Sequence, residues 1–277
     1  MRTSWQIIGA VDPTALGTSR IQLHSAVQLV AAVGKALANP EPDDSHTSLD
    51  WDSERNAFAG VKVNQLEIQA WLETLSLTLS LSGRGGNVKK LELHGKTLGD
   101  AFEWLKATLQ EQGASPERLT MIGDPFQLPE PVFDQMVKFD GNQRPEFSEW
   151  AKHYGNGKLI LEELRKTRPG FSAPRVWPHH FDLGSLWTPK PGQSIGIGLS
   201  PGDGMYDEPY WYVTPSPHPD AKKLPPLEAG GSWHTQGWVG AVLPASCFAH
   251  QGNEQESRVW QFVESAVGIA TNLLQLH

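Results

Sequence analysis

A chain of 277 residues that is 39% hydrophobic and only 19% charged can bury a large core, which excludes a disordered polymer. The 23 Lys and Arg against 31 Asp and Glu leave a net charge of −8 with no basic run, so neither nucleic acid nor an anionic membrane surface is an expected partner. Cys247 is the single cysteine, which excludes an internal disulfide and a thiolate-rich zinc site.

The opening Met1–Gly9 lacks the apolar run of about 7–15 residues that marks an export signal. No stretch approaches the ~18 apolar residues of a membrane helix, so the expected location is the cytoplasm. From Arg20 to Leu37, Leu23, Ala26, Val27, Val30, Val33 and Leu37 recur at three- and four-residue spacing, which predicts an amphipathic helix ending at Asn39-Pro40. Arg20, His24 and Gln28 stand four apart on it and form one polar stripe.

Thr47–Trp51 and Ala57–Val63 read as a hairpin around a turn at Asp52–Asn56. The apolar positions are even from Leu66 to Leu72 and odd from Leu75 to Leu81. That change of parity predicts a turn or bulge at Glu73-Thr74, because side chains alternate faces along a strand. Val88–Leu93 is a further strand, and Thr97-Leu-Gly-Asp100 is a capping-box pattern opening a second helix.

A Pro-rich connector is expected at 123–145 between a first helix, antiparallel-sheet and helix unit at 1–122 and a second at 146–277. The second unit has a helix over Phe147–Arg168, broken at Gly155-Asn-Gly157. Strands follow near Val176–Trp187, Gln193–Leu199, Tyr210–Thr214 and Trp238–Leu243, then a helix from Glu254. Pro209 and Pro215 suggest that the third of these strands is an edge or that a pairing region ends there. The fold class is α+β, with two similar, pseudo-duplicated halves.

Several short patterns stand in order along the chain. They are Leu23-His24 with Gln28, Val33-Gly34-Lys35, Ala173-Pro174, Phe181-Asp182-Leu183-Gly184, Glu208-Pro209-Tyr210, and His234 to Leu243-Pro244. Together they resemble an uncharacterised bacterial family catalogued as a domain of unknown function. The resemblance implies a fold and carries no activity.

Between Arg175 and Trp238 the chain concentrates histidine, carboxylate and aromatic residues. The expected site takes His180, Asp182 and His234 as acid–base groups, with a carboxylate orienting a histidine. Asp203, Glu208, Tyr210, Tyr212, Trp233 and Trp238 hold a small molecule, and His24 and Gln28 border the same cavity. In a strand, His180 and Asp182 share a face, whereas Trp233 and His234 face opposite sides.

A divalent metal on His180, His234 and Glu208 is one variant of this site, although the spacing matches no tight metal motif. Gly196, Gly198 and Gly202 lack the following helix of a dinucleotide fingerprint, so no nucleotide cofactor is expected. No Gly-x-Ser-x-Gly elbow occurs. The readings of function are a hydrolase-like enzyme with a small-molecule site in the C-terminal half, a non-catalytic aromatic-lined binder, and a scaffold that engages a partner through Tyr210–Pro226. Against all three stands a purely structural hydrogen-bond network of Trp, Tyr, His and Asp.

Overall fold

The computed structural model describes residues 4–121 and 137–275. Most of the expected connector 123–145 lies outside the described residues. The chain forms two compact units. The first comprises Thr18–Ala151 and Arg175–Phe181; the second comprises Arg2–Gly17, Lys152–Pro174 and Asp182–His277. The division falls inside a helix and inside a β-turn rather than at one point along the chain. Among the described residues there are four α-helices, all strand pairs are antiparallel, and no helix is long and apolar enough to cross a membrane.

In the first unit, β1 (Leu49–Asp52), β2 (Ala57–Gly60), β3 (Gln69–Glu73), β4 (Thr78–Ser82), β5 (Val88–Glu92) and β6 (Arg175–Trp177) form a sheet in the order β6-β1-β2-β3-β4-β5. The predicted change of parity is a hairpin in which Glu73 pairs with Thr78. Trp51, Phe58, Leu72 and Leu79 lie on one register row and are all buried. Helix α1 (Gly17–Leu37) packs there, with Val30 against Gly60. Gly34 of α1 has no room for a Cβ because the His46 carbonyl lies over it. Helix α2 (Leu98–Glu111) starts with the predicted capping box, in which the Asp100 N–H donates to Thr97 Oγ1 and the Thr97 N–H to Asp100 Oδ2.

In the second unit, β7 (Asp182–Lys190), β8 (Gln193–Ser200), β9 (Tyr210–Ser216), β10 (Ser232–His234) and β11 (Gly240–Pro244) form a sheet in the order β10-β11-β9-β8-β7. Leu183, Ile195, Ile197, Leu199, Trp211, Val213, Ala241 and Leu243 alternate onto one face and are buried. Helix α4 (Gln255–Gln275) lies along β9, and Val259, Phe262, Val263, Ala266 and Ala270 are among its buried residues.

Three expectations are corrected. Helix α3 (Arg144–Thr167) runs unbroken through Gly155-Asn-Gly157. Gly157 lets the side chains of Leu183 and Leu199 come close, since an added Cβ would stand 2.9 Å and 3.4 Å from their Cδ2 atoms. Asn156 holds the Gln6 backbone N–H and C=O, each at 2.8 Å. Gly157 serves packing. Val176–Trp187 is not one strand, because a turn at 178–181 separates β6 from β7, closed by the Phe181 N–H on the Trp177 carbonyl at 2.7 Å with Phe181 at φ +56°. Finally, of the two readings of Pro209 and Pro215 the edge is wrong, because β9 lies between β8 and β11, whereas the end of a pairing region holds on the β11 side. Pro215 sits beyond Val213, the last β9 residue paired with β11, so its missing N–H interrupts no ladder bond on that side.

Candidate functional site

The face of the second sheet opposite α4 is chemically different from its apolar side. Strand alternation and register place Asp182 and Gly184 of β7 there. They are joined by Gly196, Gly198 and Ser200 of β8, by Tyr210, Tyr212 and Thr214 of β9, by Gly240 of β11 and by His234 of β10. The glycines form a floor on which rings lie. A Cβ on Gly198 would stand 2.5 Å from Tyr212 Oη, and one on Gly184 would stand 2.7 Å from it. The Trp238 ring lies over Gly240 in the same way.

The turn before β9 is held by Asp203. Its Oδ1 accepts the N–H groups of Met205 at 2.7 Å and Tyr206 at 3.0 Å, its Oδ2 accepts the Tyr210 hydroxyl at 2.7 Å, and its own N–H donates to the Tyr206 carbonyl at 2.7 Å. These bonds swing the Tyr206 ring beside Tyr210, with centroids 4.6 Å apart, and bring its hydroxyl 3.0 Å from His234 Nδ1. His234 Nε2 lies 2.7 Å from the Gln236 carbonyl, which can only accept. In the neutral ring Nε2 therefore carries the proton, and Nδ1 is the acceptor that the Tyr206 hydroxyl meets. Trp238 stacks on the imidazole at 4.2 Å and 23°.

Electrostatics keep the phenols protonated. Burial pushes the Tyr206 hydroxyl above its ordinary pKa, and the Asp203 carboxylate adds to this. Tyr210 is raised further, by burial first and then by its bond to Asp203. Tyr212 is raised by burial and by Asp182, whose Oδ2 accepts its hydroxyl. The three phenols are thus hydrogen-bond donors, and the group aligned to take a proton is His234 Nδ1, reached through Tyr206. Exposure supports access, since Tyr206, Tyr212, Thr214 and Trp238 are half-buried while Met205 is 56% exposed.

The expected residues are therefore only partly gathered. Asp182, Asp203, Tyr210, Tyr212, His234 and Trp238 share this face or its rim. Trp233 alternates to the other side, where its indole N–H donates to the Pro225 carbonyl at 2.7 Å. Glu208 anchors the Ser246 N–H at 2.6 Å and hydroxyl at 2.7 Å, so both of its oxygens hold a turn. Tyr210 and Trp211 are buried in the sheet, and the exposed part of the run expected to meet a partner starts only at Ser216.

His180 is corrected more sharply: it is exposed, belongs to the first unit, and sits in the turn rather than on a strand with Asp182. His24 and Gln28 also belong to the first unit, where both Nε2 atoms reach the Pro178 carbonyl, at 2.8 Å and 2.7 Å. The His24 ring stacks on Phe181 at 5.2 Å. Burial holds the His24 pKa at about 4, so it is neutral and anchors the turn as a donor. Among the described residues, no three His, Cys, Asp or Glu side chains gather closely enough to hold a metal ion.

Tyr206 was missed by reading the sequence. The available signal was its place three residues after Asp203, because an Asp that caps its own turn delivers the following residues back over it. The chain matches no protein-family model, no curated protein and no solved structure.

Proposed function

We propose that the second unit binds a small planar polar molecule on the sheet face opposite α4, and that the Tyr206–His234 pair exchanges a proton with it. The observation that carries this reading is the fixed order Gln236 carbonyl, His234 Nε2–H, His234 Nδ1 and Tyr206 hydroxyl. A backbone acceptor sets the tautomer, the imidazole presents a basic nitrogen, and a half-buried phenol stands at the outer end. A ligand O–H or N–H that donates to Tyr206 Oη lets the phenol pass its own proton to Nδ1, which is general-base chemistry through a relay. The rings of Tyr206 and Trp238, with centroids 5.7 Å and 4.2 Å from that of the imidazole, offer stacking surface beside it.

Hydrolase-like chemistry is the extension of this reading in which the proton comes from water. Simple binding is the version in which it comes from the ligand and returns. The same reading keeps the two helix-and-sheet units as pseudo-duplicated halves, of which the second carries the chemistry.

The test uses the full chain with labelled Tyr, His and Trp, titrated with nucleobases, phenols and monosaccharides and followed by NMR. A binding compound is expected to shift Tyr206, His234 and Trp238 signals together, and Tyr206→Phe and Trp238→Ala are expected to weaken it about tenfold. Compounds that bind elsewhere, or equally well to both variants, refute the site.

A further inference from the structure

A second concave site lies within the first unit, and none of the residues of the site proposed above lines it. It is a cavity of about 470 Å³ between the end of α1, the turn around Ser45–Thr47, the segment after β2 and the first residue of β6. The size is that of a site for a small metabolite. Val61 and Val63 give it an apolar wall, while Arg175, Lys62, His46 and Glu41 supply charge and hydrogen bonds.

Three features bias it toward anions. Arg175 is half-buried and its guanidinium is oriented, because Nη1 donates to Ser48 Oγ at 3.1 Å while the Ser48 hydroxyl is itself committed to the Ser45 carbonyl at 2.7 Å. That single bond uses one of five donors on a planar fork that fits carboxylate or phosphate oxygens. His46 Nδ1 accepts the Glu41 N–H at 3.1 Å, so the neutral ring carries its proton on Nε2 and presents a second donor. Lys62 adds an exposed positive charge, and among the described residues neither Lys62 nor Arg175 has a carboxylate within ion-pairing distance. Asp43 is near enough to feel the Arg175 charge, but its Oδ1 is held by the Ser45 N–H. Within the lining two cations stand against the one carboxylate of Glu41, while the Asp43 charge lies near Arg175 outside it.

We infer that this cavity binds a small oxyanion-bearing metabolite, with Arg175 gripping the oxyanion, Lys62 closing over it and the valine wall taking an apolar part. Its carboxylate and phosphate sources are separated by two probes.

The full chain is titrated with succinate and with inorganic phosphate at low ionic strength, read by calorimetry and by the His46 and Arg175 side-chain NMR signals. Saturable binding that is weakened by salt is expected. Arg175→Gln should weaken it about tenfold or more through loss of a charged fork. Lys62→Gln should weaken it a few-fold, as befits an exposed charge. Preference for succinate identifies a carboxylate ligand, and preference for phosphate a phosphorylated one. Circular dichroism checks the Arg175 variant; should it fail to fold, the exposed Lys62 and the His46 signals decide. Absence of saturable binding of either probe at millimolar concentration, or equal binding by wild type and Lys62→Gln with silent His46 signals, overturns the assignment.

Discussion

Gln28 Nε2 lies 2.7 Å from the Pro178 carbonyl oxygen, and this bond ties the middle of α1 to the turn that joins β6 to the second unit's first strand. The same nitrogen also reaches the His24 carbonyl at 3.1 Å, so the amide is oriented from two sides. Both partners are buried, and replacing Gln28 by Ala removes two hydrogen bonds and leaves a void. The expected cost is about 1–3 kcal/mol in urea unfolding. Exchange of the Phe181 amide, which closes the turn, is expected to speed up. Unchanged stability and exchange would show that His24 alone holds the turn.

Two buried histidines set an acid limit. Burial lowers the His24 pKa to about 4 and the His153 pKa to about 3, against 6.5 for the ordinary group. Well above pH 6.5 neither folded nor unfolded chain binds these protons, and stability is at its full value. As pH falls below 6.5 the unfolded chain takes up protons that the folded chain refuses, so stability is lost progressively, down to about pH 4 for His24 and pH 3 for His153. At pH 5 each contributes a loss of about 2 kcal/mol. Urea unfolding at pH 7 and pH 5 measures it, and His24→Gln and His153→Gln should each flatten the difference.

The glycine floor gives a paired prediction. A Cβ on Gly198 would stand 2.5 Å from both the Leu183 carbonyl and Tyr212 Oη, whereas the nearest atom to a Cβ on Gly196 is the Thr214 carbonyl at 3.8 Å. Gly198→Ala is therefore expected to destabilise by about 1–3 kcal/mol through overpacking against backbone that cannot yield. Gly196→Ala should be neutral or stabilise by about 0.5 kcal/mol, since a strand glycine with room for a methyl group loses more entropy than it needs to. Equal effects of the two substitutions, seen in thermal melts, would mean that Tyr212 does not lie on Gly198.

These contrasts mark what could be read from the chain. Strands and helices were legible because their periods are local: Leu72 and Leu79 face one another in β3 and β4 as parity required, and Thr97 caps α2 as its spacing required. The helix runs through the expected break at Gly155–Gly157, and the reason for Gly157 is tertiary, a close approach by Leu183 and Leu199 from distant strands. The same holds for the site. Alternation correctly separated Trp233 from His234. The turn at 178–181 removed His180 from its supposed partner Asp182, since a positive φ at Phe181 is invisible to a pattern of apolar residues. Tyr206 was overlooked for the converse reason, because a loop residue gains its partner only when Asp203 folds the turn.

His234 supplies the last test, because its tautomer is set by one backbone atom. The Gln236 carbonyl at 2.7 Å requires a proton on Nε2, and the Tyr206 hydroxyl at 3.0 Å then donates to Nδ1. Long-range proton–nitrogen NMR spectra of the neutral imidazole are expected to show the Nε2–H tautomer alone. Tyr206→Phe should leave that tautomer in place, since Gln236 still holds it, and should cost about 0.5–1.5 kcal/mol for one lost hydrogen bond. Trp238→Ala removes the ring stacked 4.2 Å from the imidazole and should broaden the His234 signals by freeing the ring to move. A mixture of tautomers in the wild type, or a switch to the Nδ1–H form, would remove the basic nitrogen from the Tyr206 side, and with it the proton relay.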